Sequence, residues 1–498
     1  MLLNPILILF SFIINNIKCY MVFPVEVLPK ENYKTNYELN SPKDIISKEF
    51  INSFFTVLEI GTPIQRIPLL IKQKINDYII TSSHKMENAE RNYTEKLIYD
   101  FSPNFLQKYK YFDENSSSSF LTTHCEKRKP YDESEKPIAE VICISNETIY
   151  LYDKITTENK KVENELYFEL ARNTKDNVTG VIGLGLMDIY DHMSFLSVLK
   201  ARKLINDYYW FFDFDSWNSS KGKLILGELP HNVYDNKYDK DDLLYTPSGD
   251  VMYVYYNIYF DEVFIKNKNE KKEIENQKEK VAINTESNLI VGSYKYKDYL
   301  LSILDDLFKE QKCFNDTFKG YDELYDFNFD YKFIYCKNEI NIKKKLNELI
   351  TTIYFYSKDL NYTFEITNDQ ILKENGEYIF IYIVFAESTN RWILGKQIAL
   401  KYQFIFNPDT KNIYYYPKLK NNNNNDNNNN NDNNNNNDNN NNYYKVLKII
   451  GIVMLCIIFC IIGVVIGKIL YGMHKKRRAN ELKDDDYIYV SEEKKEKE

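Results

Sequence analysis

Phe54 to Ile80 reads FFTVLEIGTPIQRIPLLIKQKINDYII, two apolar, β-branched runs on either side of the turn triplet Gly61-Thr62-Pro63. Alternation broken by a Gly/Pro turn is the pattern of a hairpin, so this stretch predicts paired strands. Working outward, short strand patterns recur at Glu140 to Ile144, Thr148 to Tyr152 and Val178 to Ile182. An amphipathic helix fits Phe195 to Leu204, where Phe195, Leu196, Leu199 and Leu204 share a face and Ser194 supplies the N-cap.

A second series begins at Met252 to Phe260 and continues at Val263 to Ile265, and Asn267 to Lys280 then reads as a polar insert. Val281 to Ser293 resumes the apolar pattern, followed by a helix near Tyr299 to Lys309. Further strands are expected at Ile350 to Tyr356, Tyr362 to Ile366, Tyr378 to Phe385 and Gln403 to Phe406. The order of elements repeats. A mainly β architecture follows, with an N-terminal segment at 20–53, a first β lobe at 54–235 and a second at 236–420.

The whole chain has 498 residues, 44% hydrophobic and 27% charged, a balance that supports a large core. Its 64 Lys plus Arg against 72 Asp plus Glu give a net charge of -8, with no aromatic-studded basic stripe, so nucleic acid is excluded as a partner. His84, His124, His192, His231 and His474 are scattered singly without an HExxH motif, which predicts no metal site, and no cofactor motif is present. The absence of Gly-x-Ser-x-Gly argues against a serine hydrolase.

The two ends carry targeting signals. Leu2 to Ile14 is almost wholly apolar and leads to Lys18, Cys19 and Tyr20, a signal peptide over 1–19, with an uncleaved signal anchor as the alternative. Ile449 to Gly467 carries no charge and, at 1.5 Å per residue, spans about 28 Å, so a transmembrane helix is expected over 449–471. Lys475, Lys476, Arg477 and Arg478 follow it, placing the tail 472–498 in the cytoplasm and the rest in the lumen or outside the cell, a single-pass type I topology. Tyr487 to Val490 resembles the sorting signal read by clathrin adaptors. Residues 421–442 are only Asn and Asp, a stalk that sets the ectodomain on the order of 25 Å from the membrane.

Of the cysteines, Cys19 lies in the signal and Cys456 and Cys460 in the span, which leaves Cys125, Cys143, Cys313 and Cys336 for disulfides. Three pairings are open. The local ones, Cys125 with Cys143 and Cys313 with Cys336, are favoured because each closes a loop within one lobe. Asn-x-Ser/Thr sequons at Asn92, Asn115, Asn146, Asn177, Asn218, Asn315 and Asn361 fit a glycosylated lumenal surface.

Several landmarks then stand in a telling order: Ile60-Gly61-Thr62-Pro63 with Gln65; Phe112 with Ser116 to Ser119 and Phe120; and Val178 to Gly185. Gly222 to Glu228, Ala282 to Thr285, Trp392 to Gly395, Phe406-Asn407 and Ile413 to Pro417 follow. From Phe54 to about Leu419 the chain resembles the pepsin-like aspartic proteases (peptidase A1), most of all the plasmepsin-type and membrane-anchored members. The resemblance implies a bilobal fold and two aspartates, one per lobe at Asp-Thr/Ser-Gly, that share one proton to activate water. At those positions stand Lys72, eleven residues beyond Gly61, and Asn284, while Lys74 and Glu286 replace the glycines. Tyr131 matches the flap tyrosine, without the flap glycines.

Neither Lys72 nor Asn284 can share a catalytic proton, so the resemblance and the substitutions together predict a pseudoprotease that binds a peptide or protein without cutting it. The alternative is an active aspartic-type endopeptidase using an unrecognised acid pair, Asp77 with Glu286. One basic and one acidic newcomer at paired loops also predict an ion pair between Lys72 and Glu286. Between Cys19 and Phe54 no helical basic segment is evident that could blanket a cleft.

Overall fold

The computed structural model describes residues 20–27, 41–50, 54–73, 78–81, 111–127, 139–152, 161–174, 179–185, 194–216, 219–234, 237–248, 256–266, 271–275, 278–322, 327–386 and 391–417. These lie in one compact unit, 1–422. The signal peptide, the stalk, the transmembrane span, the tail with Tyr487 to Val490, the flap Tyr131, Lys74 and Asp77 lie outside the described residues. Among the described residues no helix is long and apolar enough to cross a membrane.

The fold is mostly β. Strand β1 (Met21–Val27) and helix α1 (Pro42–Phe50) precede the hairpin β2 (Phe54–Ile60) and β3 (Gln65–Lys72). This hairpin runs in register from Phe54 opposite Ile71 to Ile60 opposite Gln65, and Gly61 at its turn takes a left-handed φ of 87°. Strands β4 (Tyr78–Thr81), β5 (Leu121–Lys127), β6 (Ala139–Tyr152), β7 (Lys161–Thr174) and β8 (Gly180–Gly183) follow. Helix α2 (Phe195–Ala201) starts at Ser194, whose Oγ accepts from the Ser197 N–H at 3.1 Å. It stops short of the predicted Leu204 because Lys203 is left-handed, with φ 59°. The hairpin β9 (Trp210–Phe214) and β10 (Lys221–Leu226) closes this half, β10 pairing with β1.

The second half carries β11 (Leu244–Pro247), β12 (Asn257–Phe260), β13 (Glu262–Lys266), β14 (Lys271–Glu275), β15 (Glu279–Ile283) and β16 (Ile290–Val291). Helices α3 (Tyr294–Ile303) and α4 (Asp305–Lys309) lead to the hairpin β17 (Cys313–Asp322) and β18 (Phe327–Lys337), then α5 (Ile340–Leu349). Strands β19 (Ile353–Ser357), β20 (Tyr362–Ile366), β21 (Leu372–Asn375), β22 (Tyr378–Ala386) and β23 (Ile393–Leu394), helix α6 (Lys396–Lys401), and strands β24 (Ile405–Asn407) and β25 (Asn412–Tyr415) complete it.

The halves repeat in topology. In the first, β8 lies between β3, to which it is parallel, and β4, to which it is antiparallel, and β4 is parallel to β7. In the second, β23 lies between β15 and β16 in the same two senses, and β16 is parallel to β22. Each half therefore sends a loop out of one central strand and back into the next but one, with the intervening strand bracing both.

Three parts of the sequence reading need correction or addition. The polar insert at 267–280 contains β14, whose exposed Lys271, Lys272 and Glu273 hide the alternation while Ile274 and Glu275 are buried. The β17–β18 hairpin was not predicted, because its aromatic residues alternate with Asp, Asn and Lys rather than with a clean apolar face. The segment ahead of Phe54 does hold a helix, α1, too short to read by periodicity. Cys313 and Cys336 are joined by a disulfide across the β17–β18 pair. The register also sets Cys125 opposite Cys143 on β5 and β6, whose side chains lie outside the described residues.

The largest sheet has 13 strands and includes β1 to β10 together with β11, β24 and β25, so the end of the chain returns to the sheet in which it began. The seam is aromatic. Trp210 is fully buried, stacks on Phe406 at 4.4 Å between centroids, and donates its indole N–H to the Tyr256 hydroxyl at 3.2 Å. Trp210→Ala leaves a large cavity at this seam and is expected to cost about 3–5 kcal/mol, read from the urea midpoint.

Candidate functional site

The two braced loops meet, and their contacts are polar and buried. Lys72 ends β3, where its carbonyl accepts from the Leu184 N–H at 2.8 Å. Asn284 follows β15, where its N–H donates to the Leu394 carbonyl at 2.8 Å. The bracing strands thus fix the backbone of both loops, and the side chains close the gap between them.

Lys72 Nζ donates to Glu286 Oε2 at 2.9 Å, with 9% and 4% of the two side chains exposed. The ion pair expected from the sequence therefore forms, in the interior. Glu286 Oε1 accepts the Gln73 N–H at 2.8 Å, so both carboxylate oxygens are engaged from the first loop. In return, Gln73 Oε1 accepts from the Thr285 N–H at 2.9 Å and from its hydroxyl at 2.8 Å. Asn284 turns its amide oxygen back on the Glu286 N–H at 3.0 Å, an Asx turn that aims the Glu286 side chain. The reciprocal role of Gln73 was missed from sequence, since nothing local marks a glutamine as a bridge between loops 212 residues apart.

Close packing behind the second loop leaves no room for variation. A Cβ on Gly395 would come within 2.6 Å of the Leu289 carbonyl oxygen and 2.7 Å of that of Ser287. Lys396, only 2% exposed, donates its backbone N–H to the Ser287 carbonyl at 2.7 Å and lays its ammonium over Phe214 at 4.4 Å and Phe54 at 5.0 Å. A second buried cation thus ties α6 to the first-half strands. Burial raises the phenols of Tyr78 and Tyr256 well above the usual tyrosine range, so both stay neutral beside the loops.

The turn landmarks also converge. The Thr62 N–H donates to Ser117 Oγ at 2.9 Å, and Ser119 Oγ donates to the Thr62 hydroxyl at 2.9 Å. Gln65 and Asp113 exchange hydrogen bonds of 2.9 and 2.8 Å. Residues read as separate motifs are one clamp on the β2–β3 turn. Among the described residues no cluster of His, Cys, Asp and Glu could hold a metal ion.

Residues 53–416 match the family described as eukaryotic aspartyl protease. The chain belongs to this family. No curated protein matches it. As an aspartyl protease family member, it places its duplicated central loops against each other and joins them by side chains from both halves. Chemically, the junction offers an ammonium donor at Lys72, an amide at Asn284 and a carboxylate at Glu286 whose oxygens are both occupied.

Removing one partner of a buried ion pair strands the other charge in a poor solvent. Glu286→Gln is expected to destabilise the fold by about 3–5 kcal/mol, whereas Lys72→Met combined with Glu286→Leu should recover most of that loss. Chemical denaturation of Lys72→Met, Glu286→Leu and their double variant closes this cycle, with Glu286→Gln measured beside them.

Proposed function

We propose that this family member is a type I membrane protein whose ectodomain binds a peptide or protein ligand and does not cut it. The observation that carries the reading is the Lys72–Glu286 ion pair. The family's chemistry requires two carboxyl groups about 3 Å apart sharing a proton. By the family resemblance those positions are Lys72 and Asn284. An ammonium that donates to Glu286 at 2.9 Å has no lone pair with which to take a proton from water. The Asn284 amide is no acid and serves as a turn acceptor. Glu286, the remaining carboxylate, accepts from Lys72 and from the Gln73 backbone.

In this proposal the signal at 1–19, the stalk at 421–442 and the span at 449–471 present the ectodomain to the lumen or the cell exterior. The tail 472–498 offers Tyr487 to Val490 to an adaptor, and Tyr131 borders the ligand rather than clamping a substrate. The second reading, an active aspartic-type endopeptidase using Asp77 with Glu286, is favoured by family membership.

A turnover assay on residues 20–420 separates the two readings, using a mixed peptide library from about pH 3.5 to 7.5, since a carboxylate dyad works only where it holds one shared proton. The wild type is expected to be silent. Pepstatin-sensitive cleavage by it would overturn the binding reading. Activity confined to Lys72→Asp with Asn284→Asp would show that the site still accepts peptides once two carboxylates are restored.

A further inference from the structure

Lys72, Glu286 and Asn284 form one hydrogen-bonded chain at the junction. Glu286 touches both of the others: its Oε2 accepts from Lys72 Nζ at 2.9 Å, and its backbone N–H donates to Asn284 Oδ1 at 3.0 Å. Lys72 and Glu286 are 7% and 3% exposed, whereas Asn284 is half-buried. The backbones beneath these side chains are held in place, Lys72 by the Leu184 N–H and Asn284 by the Leu394 carbonyl. Gln73 and Thr285, the next residues of the two loops, are joined by hydrogen bonds of 2.9 and 2.8 Å. An amine, an amide and a carboxylate are therefore gathered where water is largely excluded.

An ammonium is no nucleophile, but this one shares a hydrogen bond with a buried carboxylate, and burial disfavours both charges. Passing the proton from Nζ to Oε2 leaves a neutral amine beside a neutral acid. The Asn284 carbonyl already has a donor, the Glu286 N–H, aimed at the oxygen on which negative charge develops when Cγ is attacked. The lysine stem is flexible, so Nζ can pass from the carboxylate to the amide carbon while the loop backbones stay where they are.

We propose that Lys72 and Asn284 join in an isopeptide bond, with Glu286 as the proton carrier. The bond from Nζ to Cγ forms and the bond from Cγ to Nδ2 breaks. Nζ gives up two protons. Glu286 relays one of them to Nδ2, which leaves as ammonia, and keeps the other. An ion pair and a primary amide thus become a secondary amide, ammonia and a neutral carboxyl group, with no change of oxidation state. Two buried charges disappear, and their desolvation cost with them. The half-burial of Asn284 gives ammonia a way out, and its departure makes the step irreversible. The bond joins the two halves of the repeat covalently and so restricts the unfolded chain, as any long-range cross-link does. It needs only these three side chains and stands apart from whether the ectodomain takes a ligand.

Tryptic mapping of the full chain by mass spectrometry tests this on the unaltered protein. Trypsin does not cut after an acylated lysine, so residues 67–74 and 281–295 should appear as one branched peptide, lighter than the sum of the two by one ammonia. Fragmentation should place the bond between Lys72 and Asn284. Cleavage after Lys72 with recovery of 281–295 by itself overturns the proposal. So does a branched peptide that has lost water instead of ammonia, because the bond would then lie on Glu286. Asn284→Ala keeps the Lys72–Glu286 ion pair that holds the loops together and should yield the two peptides separately. Glu286→Gln keeps the amine and the amide but cannot carry the proton, and should also yield them separately. A branched peptide from either variant overturns the assignment. The wild-type map decides by itself, so a variant that fails to fold does not shelter the proposal.

Discussion

Everything near the centre of this fold depends on two loops that must be held together although they carry charge. A β-rich chain with a duplicated topology brings the ends of β3 and β15 close, and their loops need partners for their polar groups because water is excluded. Here the answer is reciprocal. Lys72 and the Gln73 backbone satisfy Glu286, and Gln73 in turn satisfies Thr285. Each half supplies what the other lacks, so neither loop is satisfied without its counterpart.

A buried ion pair is a poor source of net stability, because desolvating both charges costs about what their attraction returns. Its value lies in specificity. A Lys72 ammonium buried beside Glu286 admits one arrangement of the two loops and penalises any that separates the charges. The bracing residues enforce the same arrangement from behind: Gly395 allows the carbonyls of Ser287 and Leu289 to approach, and Lys396 reaches across to Phe54 and Phe214. The architecture of an aspartyl protease family member here carries a junction held by a buried Lys–Glu ion pair.

The placement of α1 follows from the same geometry. The apolar face that includes Ala282, Leu289 and Ile393 lies beside the loop and would otherwise expose a large hydrophobic patch. Covering it with nine residues of the chain's own N-terminal part keeps that surface dry, and Glu49 accepts the side-chain N–H of Asn288. Burial and the nearby Glu49 carboxylate raise the Tyr382 phenol above its usual range, a sign of how closely charge and apolar surface are packed there.

What the sequence by itself determined is whatever depends on local pattern or on residue type. The β2–β3 hairpin, the Ser194 cap, the repeated order of elements, and the presence of a base at Lys72 and an acid at Glu286 were all legible, since alternation, capping and charge are properties of neighbouring residues. The tertiary structure alone decided the contacts between residues far apart in the chain. Gln73 became a bridge, β24 and β25 returned to the sheet containing β1, and a nine-residue helix with weak periodicity found a seat on Phe318 and Tyr331. Such contacts are set by which surfaces the completed sheets bring together, and no window of sequence contains both partners.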